Sequence, residues 1–136
     1  MTKVALIGIG GMGFTHFKQY AKMEDVKVIA VADVRTDMAK EKVANESIHI
    51  YDSMEALLAN ETPDMIDICT PSYMHVDMSI KALELGYHVV CEKPMALTST
   101  EAERIRTVAE KSDKNFMVAH VVRFMTPYMY LKQVID

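Results

Sequence analysis

Three glycines carry the first chemical signal in this chain. The stretch "VALIGIGGMGFTH", residues 4–16, is an apolar run broken by Gly8, Gly10 and Gly13 that resumes with helical spacing. A G-x-G-x-x-G at a strand-to-helix junction suits a diphosphate: the first glycine permits a tight turn, the second lets the pyrophosphate approach the backbone, and the third lets helix and strand pack closely. Backbone amides at the helix start, in the loop of Ile9, Gly11 and Met12, then face the phosphates with the positive end of the helix dipole behind them. The alternative is a tight, well-packed turn with no ligand. Asp33 stands twenty positions after Gly13, at the end of the second apolar run, with Val34 and Arg35 beside it. A carboxylate there accepts hydrogen bonds from the adenosine ribose hydroxyls and repels a 2′-phosphate, which favours NAD over NADP. Arg35 is near enough to soften that preference, so NADP is not excluded, and a helix cap or a solvated loop acid is the other reading of Asp33. Two rival phosphate sites fail, because the chain has no G-K-[S/T] and no acidic residue two positions before the glycines.

These residues need elements to hold them, and the chain alternates between two kinds. Apolar runs at 3–9, 26–33, 47–51, 64–70, 87–92 and 115–120 read as strands, several of them apolar on successive residues, as in strands covered on both faces of a parallel sheet. Segments with apolar residues near helical spacing lie between them at 13–23, 35–46, 53–60, 72–86 and 98–112. Ser53 and either Thr98 or Ser99 are placed to cap helix starts, and Gly86 to end a helix in the left-handed region. Strand-helix-strand units with short connections cross over right-handed, so the expected fold is α/β, a doubly wound parallel sheet of the Rossmann dinucleotide-binding kind. Ligands then bind at the carboxyl ends of the strands. After His120 the alternation stops, and residues 121–136 read as a connection followed by the opening of a helix.

Composition narrows the partners. The chain has 136 residues, half of them apolar and a quarter charged, with a net charge of −4. That supports a real core and argues against disorder and against a nucleic-acid surface. Cys69 and Cys91 lack C-x-x-C spacing and sit among apolar residues, so they read as buried structural thiols in a reducing cytoplasm. Lys3 and the apolar run behind it resemble the front of a signal peptide, but the glycines interrupt the run and no small-x-small site follows. No segment approaches the length of apolar chain that a membrane helix requires. His16, His49, His88 and His120 show no ligand spacing with one another or with the cysteines, so no metal is expected. The twelve methionines read as core filler, Met12 excepted.

Two further motifs lie where the sheet would end. "CTPSYMH" at 69–75 follows the fourth strand and "CEKPMA" at 91–96 the fifth. With Gly8, Gly10, Gly13 and Asp33, the T-P-x-x-x-H of Thr70, Pro71 and His75 and the E-K-P of Glu92, Lys93 and Pro94 make the whole chain resemble the N-terminal domain of the Gfo/Idh/MocA oxidoreductases, the family of glucose–fructose oxidoreductase and inositol dehydrogenase. The resemblance implies NAD as cofactor and a sugar, polyol or inositol-like secondary alcohol, or its ketone, as substrate. It places Lys93 beside the nicotinamide and the substrate hydroxyl, as the catalytic residue, with Glu92 orienting it and Pro94 fixing the turn. Thr70 and Pro71 become a wall against the dinucleotide. His75 is open between a contact near the nicotinamide and a packing or capping role. Residues 1–120 are then the cofactor domain, and 121–136 the start of a connection to a C-terminal α+β domain that would cover the substrate, support a homo-oligomer and supply a histidine as acid/base. On that reading the chain binds cofactor without turning over substrate, and no nucleic-acid or membrane partner is expected. Ala119, where the family often has glycine, and the spacing of Pro127 after Arg123 depart from the pattern at the junction. The competing class is a non-catalytic NAD-binding sensor or regulatory module, which has no evident need for the lysine of E-K-P.

Overall fold

The computed structural model describes residues 1–45 and 47–136. Among the described residues six strands and six helices alternate: β1 (Thr2–Ile7), α1 (Gly11–Tyr20), β2 (Val26–Ala32), α2 (Thr36–Val43), β3 (His49–Tyr51), α3 (Met54–Asn60), β4 (Met65–Ile68), α4 (His75–Glu84), β5 (His88–Cys91), α5 (Ser99–Lys111), β6 (Phe116–Val118) and α6 (Thr126–Ile135). Single 3-10 turns precede α4 at Ser72–Met74 and α6 at Val121–Phe124. The strands form one sheet in the order β3-β2-β1-β4-β5-β6, and every pairing is parallel. The expected doubly wound sheet is therefore present, and the winding reverses between β1 and β4.

Two apolar layers enclose the sheet. Val4 and Leu6 of β1 point into one, with Val28 and Val31 of β2 and Ala39 and Val43 of α2, against Phe14 and Phe17 of α1. Ala5 and Ile7 point into the other, with Met54 and Leu57 of α3, Ala82 and Leu83 of α4, and Ile66, Ile68 and Val89. Strands buried on both faces explain why the sequence shows continuous apolar runs. The register slips once, since Val4 faces Val28 but Ala5 faces Ala30, so β2 carries one extra residue.

Local signals account for the ends of the helices. The Ser53 hydroxyl accepts from the Ala56 amide at 3.3 Å to start α3, and Thr98 and Glu101 form a reciprocal capping box at the start of α5. Gly86, at φ +83°, ends α4 as expected. β3 is shorter than the apolar run at 47–51, because the Ile48 amide turns back to the Asn45 carbonyl at 3.2 Å before pairing begins. β6 covers 116–118 of the expected 115–120 and pairs on one side only, with β5. Beyond it the apolar side chains of Val121, Phe124, Met125, Tyr128 and Leu131 are exposed. No helix among the described residues is long and apolar enough to cross a membrane.

The glycine loop explains how α1 comes so close to the sheet. Gly8 has φ +87°, and a β-carbon on it would lie 2.7 Å from the Cys69 carbonyl oxygen. A β-carbon on Gly13 would lie 1.9 Å from the Gly8 carbonyl oxygen, whereas one on Gly10 would meet nothing within 4 Å. Gly13→Ala is therefore expected to cost about 3 kcal/mol, on the order of 10 °C in Tm. Gly10→Ala should leave stability within about 0.5 kcal/mol of the parent. Thermal unfolding followed by circular dichroism checks both, and equal melting of the two variants would refute the packing account.

Candidate functional site

The carboxyl ends of the strands open into a cleft of about 700 Å3 that spans the point where the winding reverses. Gly8, Gly10 and Met12 line it from the end of β1, Asp33, Val34 and Arg35 from β2, Thr70, Pro71 and His75 from β4, and Glu92 and Lys93 from β5. Four residues of the sequence reading stand apart from the lining. Ile9 is buried in the core layer, Gly13 is buried against Gly8, and Gly11 and Pro94 are exposed beside the lining. The ladder continues past the strands through Gly8 N to Ala32 O at 2.7 Å, Cys69 N to Ile7 O at 2.8 Å and Glu92 N to Ile68 O at 2.9 Å. The four loops are therefore held edge to edge by backbone bonds.

At one end of the cleft, α1 begins without a side-chain cap: Gly10 is the N-cap residue, and the first turn holds no acidic side chain. Its leading amides are open to an anion, in contrast to α3 and α5, whose starts are capped by their own Ser53 and Thr98. Space above Gly10 and uncapped amides beside it make a cradle that fits a diphosphate. The loop is held from behind by Lys42 of α2, whose ammonium donates to the carbonyls of Ile9 at 2.8 Å and Gly10 at 3.3 Å. Those bonds fix the carbonyls on the side away from the cleft. The Asp33 carboxylate accepts from the Ile9 amide and the Arg35 amide, both at 2.9 Å, and Arg35 Nε lies 3.8 Å from it. Asp33 is not a helix cap, since the N-cap residue of α2 is Arg35 and no side chain caps that helix; it braces two backbone turns and lines the cleft.

At the other end, His75 is buried, with one ring nitrogen 2.8 Å from the Pro94 carbonyl and the other 2.9 Å from the Thr70 carbonyl. It clasps the loops after β4 and β5 together, which is the packing role that the sequence left open. The Lys93–Pro94 bond is cis. Glu92 is buried, and one of its oxygens accepts the Lys93 amide at 2.9 Å. The Lys93 side chain is exposed and lines the cleft.

Beneath this end lies a group of charges that the sequence reading did not foresee. Asp67, fully buried in β4, accepts from His16 Nδ1 at 2.8 Å and from the Tyr20 hydroxyl at 2.9 Å. The other ring nitrogen of His16 lies 3.2 Å from Glu92 Oε1. A buried carboxylate needs such partners, and both acceptors favour the imidazolium. The bond to Asp67, assisted by Glu92, raises the His16 pKa above its usual value even though burial opposes it. Cys69 is half-buried and lines the cleft, so it is not the fully enclosed thiol expected, while Cys91 is buried. Burial, and then the charge of Asp67, push the Cys69 thiol upward, which keeps it protonated and a poor nucleophile. Burial also pushes the Cys91 thiol up to about 11.

The absence of ligand spacing in the sequence misjudged one proximity. The fold brings His16 Nδ1 to 3.4 Å from Cys69 Sγ, so His16, Asp67 and Cys69 form a cluster of metal-capable atoms. These atoms are engaged with one another through hydrogen bonds. Asp52, Ser53 and Tyr73 also line the cleft and were missed. The signal for Asp52 and Ser53 was available, because they follow β3 and every loop at the carboxyl edge of such a sheet borders the cleft.

Comparison with known proteins agrees with this geometry. Residues 2–120 match the family model described as an oxidoreductase family with an NAD-binding Rossmann fold, Gfo/Idh/MocA. The chain is 35% identical over 116 residues to the D-glucoside 3-dehydrogenase of Escherichia coli strain K12, a match covering 82% of this chain and 32% of that protein. It is 31% identical over 134 residues to a glycosyl hydrolase family 109 protein of Shewanella sp. strain W3-18-1, covering 91% of this chain and 29% of that one. The crystal structure of myo-inositol 2-dehydrogenase from Lactobacillus plantarum superposes with a TM-score of 0.88 at 27% identity, over 99% of this chain and 41% of that one. The chain thus spans about a third of the length of these relatives. A match over residues 2–120, which hold all six strands of the described sheet, makes this protein a member of the Gfo/Idh/MocA oxidoreductase family with its NAD-binding Rossmann fold.

Proposed function

We propose that residues 1–120 form the cofactor domain of an oxidoreductase that moves a hydride between NAD and a secondary alcohol of a sugar, polyol or inositol-like molecule, or its ketone. Residues 121–136 then begin the connection to a substrate-covering part of the whole protein, which is a homo-oligomer. The observation that carries the cofactor reading is Gly10. Among the described residues no atom lies within 4 Å of a β-carbon built there, and the position lines a cleft beside uncapped helix amides. A ligand backed against that loop gives the missing side chain a reason that the fold does not.

In this reading the amides at the start of α1 hold the pyrophosphate, and Lys42 keeps the loop carbonyls turned away from it. Asp33 receives the ribose hydroxyls on lone pairs that remain after its two backbone bonds. The bound dinucleotide supplies the hydride acceptor. Lys93 donates an N–H to the alcohol oxygen and stabilises its alkoxide character as the hydroxyl proton passes to an acid/base side chain of the substrate-covering part, in a turn set by Glu92 and His75. The similarity to a glucoside dehydrogenase and an inositol dehydrogenase supports the substrate class. The apolar face at Val121, Phe124 and Leu131 supports a covering part.

A second reading rests on the relative named as a glycosyl hydrolase, in which the same cofactor site would serve glycoside cleavage. Net accumulation of reduced cofactor separates the two, because hydrolysis leaves none. A non-catalytic sensor has no use for an ammonium group at Lys93.

Calorimetric titration of this chain tests the cofactor site: Gly10→Val should abolish NADH binding while leaving the fold intact, and retained affinity would remove the carrying observation. NADH should bind more tightly than NADPH, and Asp33→Asn should narrow the difference by roughly tenfold as the repulsive charge goes. A parent that prefers NADPH would assign control of the site to Arg35. In the whole protein, Lys93→Ala is expected to lower turnover by about two to four orders of magnitude with little change in cofactor affinity. Unchanged turnover in a steady-state assay would place the chemistry elsewhere.

A further inference from the structure

His16 lies beneath the Lys93 end of the cleft with carboxylates on both sides of its ring. Asp67 faces it from β4, the Cys69 thiol from the loop after β4, Glu92 from the loop after β5, and Tyr20 from its own helix, with the Tyr20 hydroxyl directed at Asp67. Among the described residues it is the one basic side chain within ion-pair distance of Asp67 or Glu92. Protonated, it leaves one net negative charge on the trio of Asp67, Glu92 and His16; neutral, it leaves two. Glu92 carries that charge to the cleft wall, where it stands next to Lys93.

We infer that His16 tunes the cleft's relative affinity for oxidised and reduced nicotinamide, through the charge it shares with Asp67 and Glu92. This rests on the reading above that the nicotinamide lies at the Lys93 end. NAD+ and NADH are alike in their ADP-ribose portion and differ by one positive charge on the ring. A change of charge under the ring therefore acts on one form and hardly on the other. As pH rises through the titration of His16, its proton leaves, the negative charge beneath the ring grows, and NAD+ gains over NADH. The coupling is reciprocal: the cationic ring must oppose protonation of His16, and the neutral ring must not. The raised pKa of His16 places the change above the ordinary imidazole range.

The test uses the unmodified chain. Dissociation constants for NAD+, NADH and ADP-ribose are measured from neutral to mildly alkaline pH, while the His16 Cε1 resonance is followed by NMR in each complex. The ratio of the NADH constant to the NAD+ constant should rise roughly three- to tenfold across the His16 titration, with ADP-ribose affinity flat. The His16 midpoint should be higher in the NADH complex than in the NAD+ complex. His16→Gln, which keeps an amide toward Glu92 without the charge, should flatten the ratio, and if that variant does not fold the two midpoints decide alone. Equal midpoints with all three ligands bound overturn the inference and leave the cofactor site standing. Failure of all three to bind overturns the cofactor reading and this inference together.

Discussion

At the centre of the sheet, the glycine loop lies against neighbouring backbone so tightly that a β-carbon has no room at Gly8 or Gly13. Much of the site depends on that contact. Because Gly13 meets the Gly8 carbonyl, α1 starts directly above β1. Because Gly8 meets Cys69, the same turn also sets the path of the loop leaving β4. The uncapped amides of α1 are thereby placed where the winding of the sheet reverses and its neighbouring loops part. Lys42 completes the arrangement from α2 by occupying loop carbonyls that would otherwise be free to turn.

A second constraint is electrostatic. Asp67 is a carboxylate in the middle of a buried strand, an expensive place for a charge unless it is paired and hydrogen-bonded. His16 and Tyr20 meet that need from α1, and His16 continues to Glu92 after β5. One helix is thus joined to two strands through a polar bridge that begins in the core and ends at the cleft wall. The loops that bear Thr70 and Lys93 are joined again above it by His75, whose two ring nitrogens each face a carbonyl of one loop. The lysine turn is consequently held from below by charge and from the side by neutral carbonyls.

What the sequence disclosed divides along chain distance. The glycine loop, Asp33 at the end of β2, the caps at Ser53 and Thr98 and the left-handed Gly86 are each determined within a few residues, and each is found where expected. The parallel sheet was legible because burial on both faces writes itself as unbroken apolar runs in β1 and β2. The bridge was not legible: His16 and Asp67 are separated by 51 positions, and only the completed sheet brings helix and strand into register. Lys42 was hidden in the same way, since a lysine on a helix reads as solvated until its partner carbonyls are known. His75 could be located on its helix but not interpreted, because its partners Thr70 and Pro94 lie on two separate loops.

The single extra residue in β2 has a bearing on how such domains can be recombined. Its slip between Val28 and Ala30 sets which way the last residues of the strand face, so that Ala32 joins the layer of Ile7 and Asp33 follows at the cleft. Side chains alternate along a strand, and removing one residue exchanges the two faces for everything that follows. A graft that transplants the second strand and its helix from a relative must therefore preserve the residue count from the slip onward. Identity of the grafted motif is not sufficient: an aspartate of the right type, one position out of phase, would turn its carboxylate away from the cleft and toward an apolar layer.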